Sequence, residues 1–114
     1  MHESSIVEYA LQAVTKHAVL NGITEVKCIR LTIGVQRGVL KDALQHIFKI
    51  ISAQSVMFCS CSLIIDEVPA VVVCQDCGTQ SVCGEIALKC PVCSSINIQI
   101  VDGNDLRVYS FQGI

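Results

Sequence analysis

An α+β fold is predicted: a small three-stranded sheet with two helices, plus an inserted zinc-ribbon module. Three observations predict it. Apolar residues recur at helical spacing over 5–20 and 39–52 and alternate at strand spacing over 25–33, and 62–68 reads as a second strand. A last alternating run begins at Leu106 and has no neighbour in sequence to pair with. Eight cysteines are present, and four of them lie in two CxxC pairs just ahead of that orphan strand.

Each element has its own warrant. In 5–20, Ile6, Ala10, Ala13, Val14 and His17 form a stripe, widened by Val7, Leu11 and Ala18. Ser5 and Glu8 have capping-box spacing, and Asn21-Gly22 supplies a stop because glycine tolerates the left-handed conformation. In 25–33, Ile29, Leu31 and Ile33 point one way and Cys28, Arg30 and Thr32 the other. In 39–52, Leu40, Leu44, Ile47 and Ile51 line one face, with Ala43 and Ile50 beside it. His17 is expected half-buried beside its stripe and His46 near the edge of its own. Pro69 interrupts the second strand, and 70–73 continue extended. Asp102-Gly103-Asn104-Asp105 signals a turn before the final strand. Returning that strand to the sheet of 25–33 and 62–73 makes the cysteine stretch an insertion. The expected domains are therefore 1–73 with 102–114, and 74–101.

Composition narrows the function classes. Hydrophobic residues make up 52% of the 114, yet aromatics only 4%, so Ile, Val, Leu and Ala must build the core. A formal charge of −2 argues against non-specific nucleic-acid binding, which needs a basic surface. No apolar run approaches the roughly 18–20 residues that span a bilayer, and the start of the chain lacks a signal-peptide layout. A cytoplasmic protein is expected, and the cysteines read as metal ligands rather than a disulfide scaffold.

Cys74, Cys77, Cys90 and Cys93 form CxxC-x12-CxxC. Each pair brings two thiolates to one ion from a single turn, and two such turns complete a tetrahedron. Four thiolates leave no open coordination position, so the expected Zn(II) is structural. A rubredoxin-like iron site and a redox dithiol share these ligands and are less favoured. Of the remaining cysteines, Cys28 reads as a buried apolar thiol. Cys59-Ser60-Cys61 is compatible with a soft metal or with shared packing, and Cys83 has no assignment.

Met1-His2-Glu3 opens the sequence. A free α-amine, the intervening amide and an imidazole at position 2 can close chelate rings, an arrangement that suits Ni(II) and Cu(II). A frayed, solvated start is the plainer reading. The helix that follows at once, and the Glu3 carboxylate available to orient the imidazole, favour the chelating one. No Ser/His/Asp set, phosphate-binding loop or three-ligand zinc site is present, so an enzyme is not expected. A zinc ribbon acting as a protein- or nucleic-acid-interaction module is the alternative. The 74–100 segment offers it only Lys89 as a base and no aromatic.

Met1-His2-Glu3, the helix behind it, Leu31-Thr32-Ile33-Gly34 and the spaced cysteine pairs together resemble the HypA/HybF family of nickel-insertion accessory proteins in [NiFe]-hydrogenase maturation. The resemblance runs over essentially the whole chain. It implies a nickel-binding α/β domain with an inserted zinc ribbon. It implies transported Ni(II) at Met1, His2 and Glu3, and structural Zn(II) at Cys74, Cys77, Cys90 and Cys93. It also implies a HypB-type GTPase partner and the hydrogenase large subunit as recipient; some members serve urease maturation, which makes a urease accessory protein a further partner. Either a monomer or a homodimer is compatible. The chain departs from some members between Gly34 and Leu40, where it carries no carboxylate before Asp42.

Overall fold

The computed structural model describes residues 2–114. The chain runs α1 (Glu3–Leu20), β1 (Val26–Gly34), a 3₁₀ turn (Val35–Arg37), α2 (Lys41–Ser52), β2 (Ser62–Val68), β3 (Ala70–Cys74), β4 (Gln80–Cys83), β5 (Ile98–Asp102) and β6 (Leu106–Gly113). Two compact units result. The first holds 2–32, 39–66 and 107–114; the second holds 33–38 and 67–106.

In the first unit both helices pack together over a sheet ordered β2-β1-β6, the expected three strands and two helices. Arg30 pairs with Asp66 and the Lys27 carbonyl accepts from Ser62 Oγ, so positions advance together along β1 and β2. That is parallel pairing, and a helical crossover is the connection it requires. β6 runs the other way, with Glu25 bonded to Ile114 and Gly34 N–H donating to the Asp105 carbonyl. The core is mainly aliphatic, with Ile6, Val7, Ala10, Val14 and Ala18 from α1 and Val26, Ile29 and Leu31 from β1, joined by Phe48 and Phe58.

The helix starts differ from expectation. α1 begins at Glu3 with His2 as its N-cap, and no side chain caps it. The Ser5/Glu8 capping box does not form, because Ser5 N–H already donates to the His2 carbonyl inside the first turn. The C-terminal stop holds: Gly22 has φ +68°, Ile23 N–H reaches back to the Ala18 carbonyl, and Asn21 Nδ2 donates to the His17 carbonyl. In α2 the deepest residues are Leu44 and Phe48, while Leu40, which precedes the first turn, is exposed. His17 and His46 are both exposed, and Cys28 is half-buried.

The second sheet, β4-β3-β5, corrects the expected strand partners. β3 does not continue the sheet of β1 and β2. Pro69 has no N–H to offer a ladder, and beyond it the chain pairs antiparallel with β4 (Ala70↔Cys83 to Val73↔Gln80) and β5 (Cys74↔Ile98). The expected 74–101 insert therefore lies wholly within the second unit, together with β3. Ala70, Val72 and Ala87 form the small core there, with Val35, Cys83, Ile98 and Ile100 packed around it.

The 33–38 segment is bound tightly within that unit. Gln36 exchanges two hydrogen bonds with the Ala87 backbone, at 3.0 and 2.9 Å. Gln36 N–H donates to the Gly103 carbonyl at 2.9 Å and Arg37 Nε to the Asn104 carbonyl at 2.8 Å. Gly34 makes this closeness possible, since a Cβ there would fall on the Gly103 carbonyl. Gly103 in turn has φ +110° and lies against Ala70, so both positions need glycine.

Candidate metal centre

The two CxxC turns are near copies. Cys77 N–H donates to Cys74 Sγ at 3.4 Å, and Cys93 N–H donates to Cys90 Sγ at 3.4 Å. Cys74 N–H is bonded to the Thr79 carbonyl and Cys90 N–H to the Ser95 carbonyl, five residues on in each case. Gly78 N–H returns to the Cys74 carbonyl and Ser94 N–H to the Cys90 carbonyl, both at 2.9 Å. Both closing residues have positive φ, +74° at Gly78 and +63° at Ser94. Serine in that region costs about 1 kcal/mol, and the turn holds it there.

The four sulfurs meet. All four Sγ atoms lie within 4.8 Å of one another, with Cys74–Cys93 at 3.5 Å and Cys77–Cys90 at 3.7 Å. Four sulfurs at about 2.3 Å from a central ion stand about 3.8 Å apart in a tetrahedron, so this spacing fits a metal–thiolate centre. Cys74 and Cys90 are buried, and Cys77 and Cys93 are exposed. The amides aimed at the Cys74 and Cys90 sulfurs stabilise negative charge there. Asp76 joins the two turns by accepting from Ser95 Oγ and from Asn97 Nδ2 at 3.3 Å. Those two bonds, Ser95 first, hold its carboxyl below the usual range.

Without a cation, four adjacent thiolates repel one another, so protons distribute unevenly. Hydrogen bonds from Thr79, side chain then backbone, bring Cys77 down to about 6. At Cys93 the Ser95 amide favours the thiolate, but Cys74, burial and the other sulfurs outweigh it and push the thiol up to about 12. A bound cation removes this conflict, because a coordinated thiol is deprotonated outright.

The other expected site residues are placed less closely. Met1 lies outside the described residues. His2 is exposed in extended conformation (φ −76°, ψ 152°), and its carbonyl accepts from Ser5 and Ile6 N–H at 3.1 and 3.2 Å. Glu3 is half-buried in the first turn. Among the described residues, the four cysteines are the only gathered group of three or more metal-type side chains. Cys83 packs against the second unit's core. Cys59 and Cys61 flank Ser60 in the turn before β2, and burial, then nearby Cys28, push the Cys61 thiol up to about 11. Sequence reasoning missed the Asp76 tie and the Gln36–Ala87 clamp. The tie had a faint signal in the polar run Ser94-Ser95-Ile96-Asn97, whereas the clamp spans 51 positions.

The fold and its four-thiol cluster define a two-unit α+β metal-binding protein. The family profile described as "Hydrogenase/urease nickel incorporation, metallochaperone, hypA" matches residues 1–113. The chain is 34% identical over 112 residues to hydrogenase maturation factor HypA of Shewanella baltica (strain OS185), covering 98% of this chain and 95% of that one. It is 34% identical over 113 residues to hydrogenase maturation factor HybF of Klebsiella pneumoniae, covering 99% of both. The solution structure of the Ni metallochaperone HypA from Helicobacter pylori superposes with a TM-score of 0.69 at 23% identity, covering 100% of this chain and 98% of that one, which establishes a common fold. The chain belongs to the HypA family of hydrogenase-maturation nickel metallochaperones. Among the described residues no helix is long and apolar enough to cross a membrane.

Proposed function

We propose that this chain carries Ni(II) at Met1, His2 and Glu3 and delivers it, with a HypB-type GTPase, to the large subunit of a [NiFe]-hydrogenase in the cytoplasm. The observation that carries this reading is the family match over residues 1–113. The start of α1 supports it chemically. Glu3 is the first helical residue, and the opening N–H groups of a helix have no intrahelical acceptor. An ion that displaces an amide proton there breaks no helical hydrogen bond. The exposed imidazole lies one residue before. An open site of this kind permits transfer, which a closed cage would prevent. A structural Zn(II) in Cys74, Cys77, Cys90 and Cys93 staples the second unit, acting as a zinc module without catalytic chemistry. The energy for release comes from the nucleotide-hydrolysing partner. Service to a urease accessory pathway uses the same cargo site.

The test is calorimetric titration of Ni(II) into zinc-loaded protein with an untagged, native start. His2→Ala is expected to weaken nickel binding by about 100-fold or more, the scale of losing a principal ligand, and to leave zinc content and melting unchanged. Equal nickel affinity in wild type and variant rejects the site.

A further inference from the structure

Each cysteine turn closes within itself, yet hydrogen bonds also run between the two turns. Asp76, between the cysteines of the first turn, accepts from Ser95 Oγ and from Asn97 Nδ2 at 3.3 Å, just beyond the second. Asn97 N–H donates to Ser95 Oγ at 3.0 Å, which closes a ring through the three residues. Beside it Gln75 N–H donates to the Asn97 carbonyl at 2.8 Å. We propose that this Asp76–Ser95–Asn97 latch is a specificity device: it holds the two turns in the crossed orientation that zinc accepts and keeps Ni(II) out of the four-cysteine centre. The inference rests on the reading of that centre as a zinc site in a chain that carries nickel.

The geometry of the ion decides what the latch resists. In a tetrahedron the line joining one turn's sulfurs lies across the line joining the other's. In a square plane the two lines share one plane. Ni(II) gains from the planar arrangement, whereas zinc takes the tetrahedral one readily. Passing from one to the other turns one CxxC against its partner by about a quarter turn. Bonds inside each turn survive that rotation, because they join Cys74 to Thr79 and Cys90 to Ser95. Bonds between the turns do not. The β3–β5 ladder ends at Cys74 and Ile98, so beyond it the Asp76 carboxylate is a tie placed to oppose the rotation.

The two turns differ at the one position that makes the latch. Thr79 and Ser95 match, each five residues after the first cysteine of its turn. Thr79 Oγ1 is bonded to Cys77 Sγ at 3.3 Å, inside its own turn. Ser95 Oγ is bonded to Asp76 instead, across the gap. The Ser95 carbonyl accepts from Cys90 N–H at 2.7 Å, so restraining Ser95 restrains the second turn. A carboxylate beside four thiolates adds repulsion. What it contributes here is two acceptor oxygens, which an Asn side chain does not have.

The test challenges full-length zinc-loaded protein with excess Ni(II) or, separately, Cd(II). Nickel entering the centre is read as thiolate-to-nickel absorption that rises together with zinc released to an indicator. An amine–imidazole site gives neither signal, so failure of the N-terminal nickel reading leaves the readout intact. Asp76→Ala is expected to raise nickel exchange by about tenfold, the scale of losing two bonds to a carboxylate. Asp76→Asn keeps one acceptor oxygen and is expected to give a smaller rise; Ser95→Thr keeps the hydroxyl and is expected to match wild type. Cd(II) is the control, because a d¹⁰ ion gains nothing from a planar site. A merely loosened module admits both ions to the same extra degree, whereas the latch predicts the larger gain for nickel. If Asp76→Ala holds no zinc, Ser95→Ala makes the same comparison. Equal gains for the two ions, or nickel exchange unchanged from wild type, overturns the latch. Wild-type protein without zinc by elemental analysis overturns the zinc reading and the latch with it.

Discussion

The second unit and the helix start of the first solve opposite problems. In the second unit, two copied turns bring four sulfurs within 4.8 Å of one another. At the start of α1, His2 is exposed and no side chain caps the helix. One arrangement commits backbone hydrogen bonds to gathering four sulfurs; the other leaves its side chain uncommitted. On the proposed function, a chain that retains one ion and hands on another needs both, and the difference lies in how much backbone hydrogen bonding each site consumes.

The sharpest way to break the comparison is to remove the metal from the closed site. Among the described residues, the buried core cluster of the second unit is Ala70, Val72 and Ala87, so on the proposed reading metal–thiolate bonds contribute much of its folding energy. Cys90→Ser removes a buried thiol, a proposed ligand, whose sulfur accepts from two amides. Loss of bound zinc by elemental analysis is expected, with loss of amide protection across β3 to β5 and retained protection in α1.

A smaller effect comes from the backbone contact that binds 33–38 to the second unit. Gly34→Ala places a methyl on the Gly103 carbonyl. The strands must part to admit it, with an expected loss of about 2–3 kcal/mol, in the range for overpacking. Denaturant melts followed by a second-unit probe measure it. Gly22→Ala makes a useful control, because a Cβ there meets nothing within 4 Å and only the positive φ is strained.

How much of this was legible in the sequence follows from the range of each interaction. The spacing of Cys74, Cys77, Cys90 and Cys93 is local chemistry repeated twice, and it announces the centre. The 3.6-residue stripes announce α1 and α2, and the short apolar run closed by Pro69 finds 62–68 to the residue. Partner choice is not local. Nothing near β3 says that it leaves β2 for β4 and β5, because Val71, Val72 and Val73 suit either sheet. The Gly34–Gly103 approach and the Gln36–Ala87 clamp join distant positions through backbone atoms, which carry no sequence signature. At His2 the difficulty is reversed. The residue type is suggestive, but its neighbour Met1 lies outside the described residues, so the nickel reading rests on chemistry and family.

The smallest expected effect sharpens the comparison most directly. His2 occupies the N-cap of an 18-residue helix without bonding its side chain to any of the opening N–H groups. Asp, Asn and Ser at an N-cap accept from those amides and favour the helix dipole, typically worth about 1 kcal/mol. His2→Asp is therefore expected to raise stability by up to about 1 kcal/mol, read as a higher midpoint in denaturant, while nickel binding falls. A gain in stability with a loss of nickel places His2 where capping has been forgone for ligation. A loss of stability in His2→Asp would instead mean that the imidazole supports the start of α1, and the uncommitted character of that end of the helix would be wrong.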